Sequence, residues 1–279
     1  MEQKSFFAQS KYGLHRVAYT EFGVRSLKPP VLCLHGLTRN GRDFDRLAVE
    51  LAAQGRHVFC PDMIGRGQSD WVADPALYSY EQYLADIVAF LLHIQAPIVD
   101  CVGTSMGGLL GLLLASHAVS PIRRLVMNDV GPYLSAEILK QLTPVAGWSR
   151  SFATFEELDE AHRRIHGAFG PLTDEEWTAL ARTASQQMPD GRWIFAYDPA
   201  IAEGLKPLKE DLSFWSYYAT ATSPILVLHG SASTVLSEAT ARRMALTGPK
   251  AKVVRLEGIG HAPPLVSKDQ IQLVADFLE

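Results

Sequence analysis

Apolar and polar positions along the first 131 residues fall into short blocks that alternate between two periods. Val31–His35, His57–Pro61, Ile98–Gly103 and Leu125–Asn128 are apolar, β-branched runs bounded by turn residues, and they predict strands. Between them, Phe44–Gln54, Tyr80–Ile94 and Met106–His117 carry helical patterns. The same alternation resumes near Ser223. Pro224–His229 reads as a strand, Glu238–Leu246 as a helix, Lys252–Leu256 as a strand and Lys268–Leu278 as a final helix. Strands alternating with helices predict an α/β fold: a mostly parallel sheet with helices on both faces.

The stretch between these regions follows a different rule. Leu139–Leu142, Phe155–His166 and Asp174–Ser185 are helical in pattern, and no convincing strand accompanies them. Thr173-Asp174-Glu175-Glu176 has the look of a helix start, with acids in the first turn. The chain therefore divides into a core, 1–131 with 223–279, and a helical insertion, 132–222. The insertion holds four of the five tryptophans, Trp148, Trp177, Trp193 and Trp215. So aromatic a segment predicts an apolar-walled pocket beneath it.

Composition narrows the classes of partner. The 279 residues are 47% hydrophobic and 20% charged, with a net charge of -4 and no basic cluster. Nucleic acid and anionic membrane are not expected partners. Met1-Glu2-Gln3-Lys4-Ser5 lacks a signal-peptide pattern, and the apolar run Leu109–Ala115 is too short to span a bilayer. Cys33, Cys60 and Cys101 are odd in number and all fall in predicted core strands. They read as buried free thiols, which suits a cytoplasmic protein.

The chemistry centres on Gly103-Thr104-Ser105-Met106-Gly107, a G-x-S-x-G run between a predicted strand and a predicted buried helix. A serine on so sharp a turn presents its hydroxyl at the end of a sheet, on a strained backbone. Serine needs an adjacent base. Of the nine histidines, His261 in Gly258-Ile259-Gly260-His261-Ala262-Pro263 lies in a loop just past the last predicted strand. Such loops are where α/β sheets place catalytic groups. Two backbone N–H groups are candidates for an oxyanion hole: Leu37, after the turn at Gly36, and Met106, after the serine. His35 reads as a structural histidine that bonds the turn. His162 and His166 sit at i and i+4 on one helix face, but two arginines stand beside them and a solvated face is expected, with no metal.

Taken together, these residues resemble the α/β-hydrolase superfamily, and its carboxylesterases in particular. The resemblance rests on His35-Gly36, the segment Pro61–Asp70, Gly103–Gly108 and Gly260-His261-Ala262-Pro263, which occur in the superfamily's order. It implies an eight-stranded sheet, a helical cap inserted after the sixth strand and a Ser-acid-His triad without cofactor. It also implies that Pro61–Asp70 packs beside the site as structure.

In one place the chain departs from the family's pattern. The usual acid follows the seventh strand, but here that stretch reads Gly230-Ser231-Ala232-Ser233-Thr234-Val235, and no aspartate occurs from Leu212 to Lys268. Glu238 reads as first-turn helix charge and Glu257 as a strand-end surface residue. Asp129, in Asn128-Asp129-Val130-Gly131-Pro132, ends the sixth strand. Some superfamily members take their acid from there. Asp129 is thus a candidate for the third catalytic residue, and equally for a cap on the turn that follows.

The resemblance implies hydrolysis of carboxylic esters or thioesters through an acyl-enzyme on Ser105. Small, uncharged, apolar substrates are expected from the aromatic insertion. Two alternatives stay open. One is a carbon–carbon hydrolase of ring-cleavage products, although those commonly carry tryptophan where Ala262 stands. The other is a degenerate hydrolase that binds a small molecule without turnover.

Overall fold

An antiparallel hairpin, β1 (Glu2–Ser10) and β2 (Gly13–Phe22), opens the chain. The computed structural model, which describes residues 1–206 and 208–279, continues with β3 (Val31–Leu34), α1 (Asp45–Ala53), β4 (Val58–Pro61), α2 (Tyr80–His93), β5 (Val99–Thr104), α3 (Met106–Ala115) and β6 (Ile122–Asn128). A segment of small strands and helices follows. It contains β7 (Tyr133–Leu134), α4 (Ala136–Ala146), α5 (Phe155–His166), α6 (Asp174–Thr183), β8 (Ser185–Gln187), β9 (Trp193–Phe195), β10 (Leu212–Ser213) and α7 (Trp215–Thr220). The core pattern then resumes with β11 (Ile225–Gly230), α8 (Glu238–Leu246), β12 (Lys252–Leu256) and α9 (Lys268–Leu278).

Eight strands form one sheet in the order β1-β2-β4-β3-β5-β6-β11-β12. The pairs from β4–β3 through to β11–β12 are parallel, and the hairpin joins antiparallel at one edge. Alternate side chains feed two cores. Val31, Cys33, Val102, Val126, Leu226 and Leu228 pack with Leu47 and Leu51 of α1 and Ile271 and Val274 of α9. Leu32, Leu34, Cys101, Leu125, Met127 and Val227 pack on the other face with Ile87 and Phe90 of α2, with α3 and with Met244 of α8. This period of two, buried on both faces, is why the parallel strands read as unbroken apolar runs. The three cysteines are free and buried.

One element is not assigned from sequence and one expectation needs correction. The hairpin β1–β2 carries no clear sequence signal, because β1 is an edge strand that buries only Phe6 and Ala8 and leaves Phe7 exposed. The insertion is not purely helical. It contains the short pairs β7–β10 and β8–β9, of two and three residues per strand, too short to show alternation. Its helices begin as the sequence suggests: Thr173 and Glu176 close a capping box at the start of α6. Among the described residues no helix is long and apolar enough to cross a membrane.

The topology fixes where a site can form. From β3 the chain moves to β4 on one side, and then to β5 on the other. Loops leaving the carboxyl ends of β3 and β5 therefore diverge and open a crevice at this switch point. Register aligns the strand ends: Leu34 faces Gly103, Thr104 faces Asn128, and Asn128 faces Leu228. The next residues along β5 and β6, Ser105 and Asp129, thus leave the sheet at one level, beside His229 of β11.

Candidate active site

Ser105 sits between β5 and α3 with φ 51° and ψ -116°, a left-handed backbone that a non-glycine residue adopts only when its surroundings hold it there. The surroundings are close packing. A Cβ at Gly107 would lie 2.0 Å from the Leu34 carbonyl oxygen, and one at Gly103 would lie 2.3 Å from that of Gly107. Only glycine lets α3 approach the sheet this closely. All ten residues of α3 are buried, so the helix is a fixed platform. Its first-turn N–H groups have no partner within the helix, and Met106 is the first of them. They point their partial positive charge toward the serine.

His261 lies with Nε2 3.0 Å from Ser105 Oγ and Nδ1 2.8 Å from Asp129 Oδ2. A carboxylate only accepts, so Nδ1 carries the proton and donates it to Asp129. Nε2 is then left to accept the Ser105 hydroxyl. Asp129 is fully buried and has a left-handed φ of 53°. Its Oδ1 accepts the Gly230 N–H at 2.8 Å and its Oδ2 accepts the Ser233 hydroxyl at 2.5 Å. The side chain thus faces His261 and the loop after β11. The other carboxylates considered lie elsewhere: Glu238 and Glu257 are exposed and both pair with Arg255.

Ser233 and Thr234 are the two residues that the resemblance places where the family's aspartate is expected. Of the two, Ser233 donates to Asp129 at the end of β6. Its own oxygen accepts the N–H groups of Val235 and Leu236, which fixes the loop.

The turn after β3 closes the other side of the serine. A Cβ at Gly36 would come 3.8 Å from Ser105 Cβ, so the Gly36–Leu37 peptide lies against Ser105. Two buried side chains hold this loop. His35 donates from Nδ1 to the Gly36 carbonyl at 2.7 Å and accepts the Met63 N–H at Nε2, 2.9 Å. Burial pushes its pKa down to about 3, so it stays neutral. Arg66 donates from Nε to the Leu37 carbonyl at 2.8 Å and from the adjacent nitrogen to Ile64 O and Tyr83 Oη. It is fully buried, with its guanidinium over the rings of Tyr78 and Tyr83. Asp62, from the same Pro61–Asp70 segment, accepts the N–H groups of Gly41 and Gln68. Burial pushes its pKa up to about 6.

Two cavities meet at Ser105. The larger, about 310 Å³, is lined on one side by Met106, Leu109 and Val130 and on the other by Leu139, Ile201, Leu205 and Phe214 from the insertion. The smaller, about 180 Å³, holds His261, Thr38 and Leu265 together with Val145, Ile165 and Phe169. Leu37 and Leu142 border both. The larger lobe is mostly apolar, with Glu81 at its wall, but its apolar side chains are mainly leucines, isoleucine, valines and Phe214, and none of the insertion's four tryptophans lines either lobe. The smaller one also has Arg39, Asp43 and His166 in its wall.

This last group corrects the reading of α5 as a solvated face. His162 is fully buried, and Arg39 donates to its Nε2 at 2.5 Å. Burial, and next the Arg39 charge, hold its pKa far below the usual histidine range. The signal that could have found it is the buried stripe Phe155, Leu158 and His162, at i, i+3 and i+7.

A family model described as alpha/beta hydrolase fold matches residues 29–267. The chain is 37% identical to a 3-hydroxybutyrate-oligomer hydrolase of Cupriavidus necator over 96% of its own length and 94% of the relative's. Among solved structures it is similar to an alpha/beta hydrolase from Novosphingobium aromaticivorans (36% identity, TM-score 0.88, covering 99% and 98% of the two chains). It is also similar to a putative hydrolase from Rickettsia typhi (28% identity, TM-score 0.93, covering 100% and 99%). With the sheet order, the crevice and a family match over most of the chain in hand, the protein is a hydrolase of the alpha/beta hydrolase fold family.

Proposed function

We propose that the protein hydrolyses carboxylic esters through an acyl-enzyme on Ser105. The observation that carries this reading is the continuous relay Asp129–His261–Ser105, with bonds of 2.8 and 3.0 Å. In the first half-reaction Ser105 Oγ attacks the ester carbonyl while His261 Nε2 takes its proton. The N–H groups of Leu37 and Met106 receive the oxyanion, and Asp129 stabilises the imidazolium. The C–O bond then breaks and His261 returns the proton to the leaving alcohol. Water repeats the sequence in the second half, releasing the acid and restoring Ser105.

The direction of proton transfer assigns the lobes. The leaving oxygen must face His261, so the alcohol occupies the smaller lobe, which His261 lines. The acyl chain occupies the larger, apolar lobe beside Met106. Residues 132–222 act as the cap that walls both. The Cupriavidus relative, whose name records cleavage of 3-hydroxybutyrate oligomers, supports ester bonds and short acyl units as the substrate chemistry. Rapid mixing with p-nitrophenyl butyrate tests the reading. A burst of one p-nitrophenol per chain, absent in Ser105→Ala, is expected. Slow release without a burst, unchanged in that variant, would leave a binding protein without turnover.

A further inference from the structure

The smaller lobe contains more polar machinery than an alcohol needs. Arg39 is nearly buried, 7% exposed at its side chain. Its Nε and one terminal nitrogen face Asp43, and its other terminal nitrogen faces His162. A guanidinium has five N–H groups. One each from Nε, NH2 and NH1 is engaged in this way, leaving two of the five for a group in the cavity that Arg39 lines.

His166 stands beside it. Its ring lies 4.7 Å from that of His162 and 4.9 Å from that of Phe169, which fixes its plane. Among the described residues neither of its ring nitrogens meets a protein partner, although it lines the same cavity as Ser105 and His261. An imidazole with one N–H and a guanidinium with two to spare, held in a partly enclosed wall, make a receptor for an acceptor with more than one oxygen. Arg39 is already neutralised by Asp43. Recognition therefore comes from directed N–H donors, not from net charge.

We propose that Arg39 and His166 form a carboxylate subsite in the leaving-group lobe, so that the alcohol half of the preferred ester is a hydroxycarboxylic acid with its acid group free. A free carboxylate has no neutral-ester equivalent in geometry: it offers two oxygens, each with strong acceptor capacity, to two separate donors. Among the described residues the larger lobe has Glu81 as its one charged lining residue and no arginine-histidine pair, so the subsite reads one end of the substrate only. Cleavage then starts from the carboxylate terminus and releases one hydroxy acid per turnover. The inference rests on the proposed ester hydrolysis, because the lobe is assigned by the proton returned from His261.

The test compares two esters with one acyl group: 3-(butanoyloxy)butanoate and its methyl ester. For the wild type, kcat/KM is expected to be at least about tenfold higher for the free carboxylate. In His166→Phe, which keeps the ring stack, and in Arg39→Gln that ratio is expected to fall toward one. Calorimetric binding of the same two compounds to Ser105→Ala supplies a readout independent of turnover. Tighter binding of the carboxylate, lost when His166→Phe is added, supports the subsite. Should both esters be cleaved with equal kcat/KM, the subsite is wrong and ester hydrolysis stands. If neither ester is cleaved, hydrolysis is wrong, and the calorimetric comparison alone decides the subsite. Should Arg39→Gln unfold, His166→Phe carries the decision in both arms.

Discussion

Ser233 and Asp129 share one hydrogen bond, 2.5 Å from hydroxyl to carboxylate, on the same oxygen that accepts His261 Nδ1. The carboxylate beside His261 comes from the end of β6, and the loop after β11 contributes a hydroxyl to it. The two side chains meet at one carboxylate oxygen beside His261 Nδ1, so an acid at position 233 is expected to come within reach of the imidazole. Exchange is the test. Asp129→Asn should lower kcat by about 10⁴, because the amide stabilises the wrong tautomer. Adding Ser233→Asp should restore at least about tenfold of the loss. No recovery, with the fold intact by circular dichroism, would mean that the two sites are not interchangeable.

Arg66 holds the loop after β3 from behind. Its bond to the Leu37 carbonyl fixes the peptide next to the N–H that the proposed mechanism assigns to the oxyanion. Arg66→Met keeps bulk but frees the loop. A drop in kcat of about tenfold to a hundredfold is expected, less than the 10²–10³ for losing an oxyanion donor outright. KM should change by less than kcat. A change confined to KM would show that Arg66 does not act through this loop.

The turn at Ser105 tolerates no added atom at Gly107. Gly107→Ala places a methyl group 2.0 Å from a backbone oxygen of β3, and neither backbone can give way within the buried sheet. A loss of several kcal/mol of stability is expected. Thermal melting checks this, and a melting point within about 2 °C of wild type would contradict the packing described.

Two buried groups oppose each other in acid. The pKa of His35 is depressed by burial to about 3 in the folded chain. Below pH 6.5 the unfolded chain gains a proton that the fold refuses, so stability is lost as pH falls from 6.5 toward 3. Asp62 works the other way: burial raises it to about 6. The fold takes up a proton before the unfolded chain does, and stability is gained as pH falls from 6 toward 4. His35 has the larger displacement and both groups are wholly buried, so the sum favours acid destabilisation. Imidazole NMR at decreasing pH should show His35 neutral at pH 5. A midpoint near 6.5 would contradict its burial and its two bonds.

Much of this was legible in the sequence, and the parts that were not share a cause. The parallel strands are buried on both faces, so unbroken apolar runs such as Val31–Leu34 and Ile225–Gly230 announce themselves. Ser105 and His261 are marked by the glycines that crowd them. Asp129 could be weighed but not decided, because a strand-end aspartate before Val130-Gly131-Pro132 serves a turn as well as a triad. The choice depends on Ser233 and Gly230, which lie about a hundred residues away and bond it only across the sheet. The arginine-histidine cluster was misread for a related reason. Arg163 and Arg164 make α5 look solvated, while the partner that buries His162, Arg39, comes from the loop after β3.

The central claim is that Ser105 is the nucleophile and that Asp129, through His261, activates it. A fluorophosphonate probe followed by peptide mass spectrometry measures this directly, since phosphonylation needs the same activated oxygen as acylation. Rapid labelling of Ser105 in the wild type is predicted, with labelling slowed by at least about a thousandfold in Asp129→Asn. Label on any other residue, or an unchanged rate in Asp129→Asn, would contradict it.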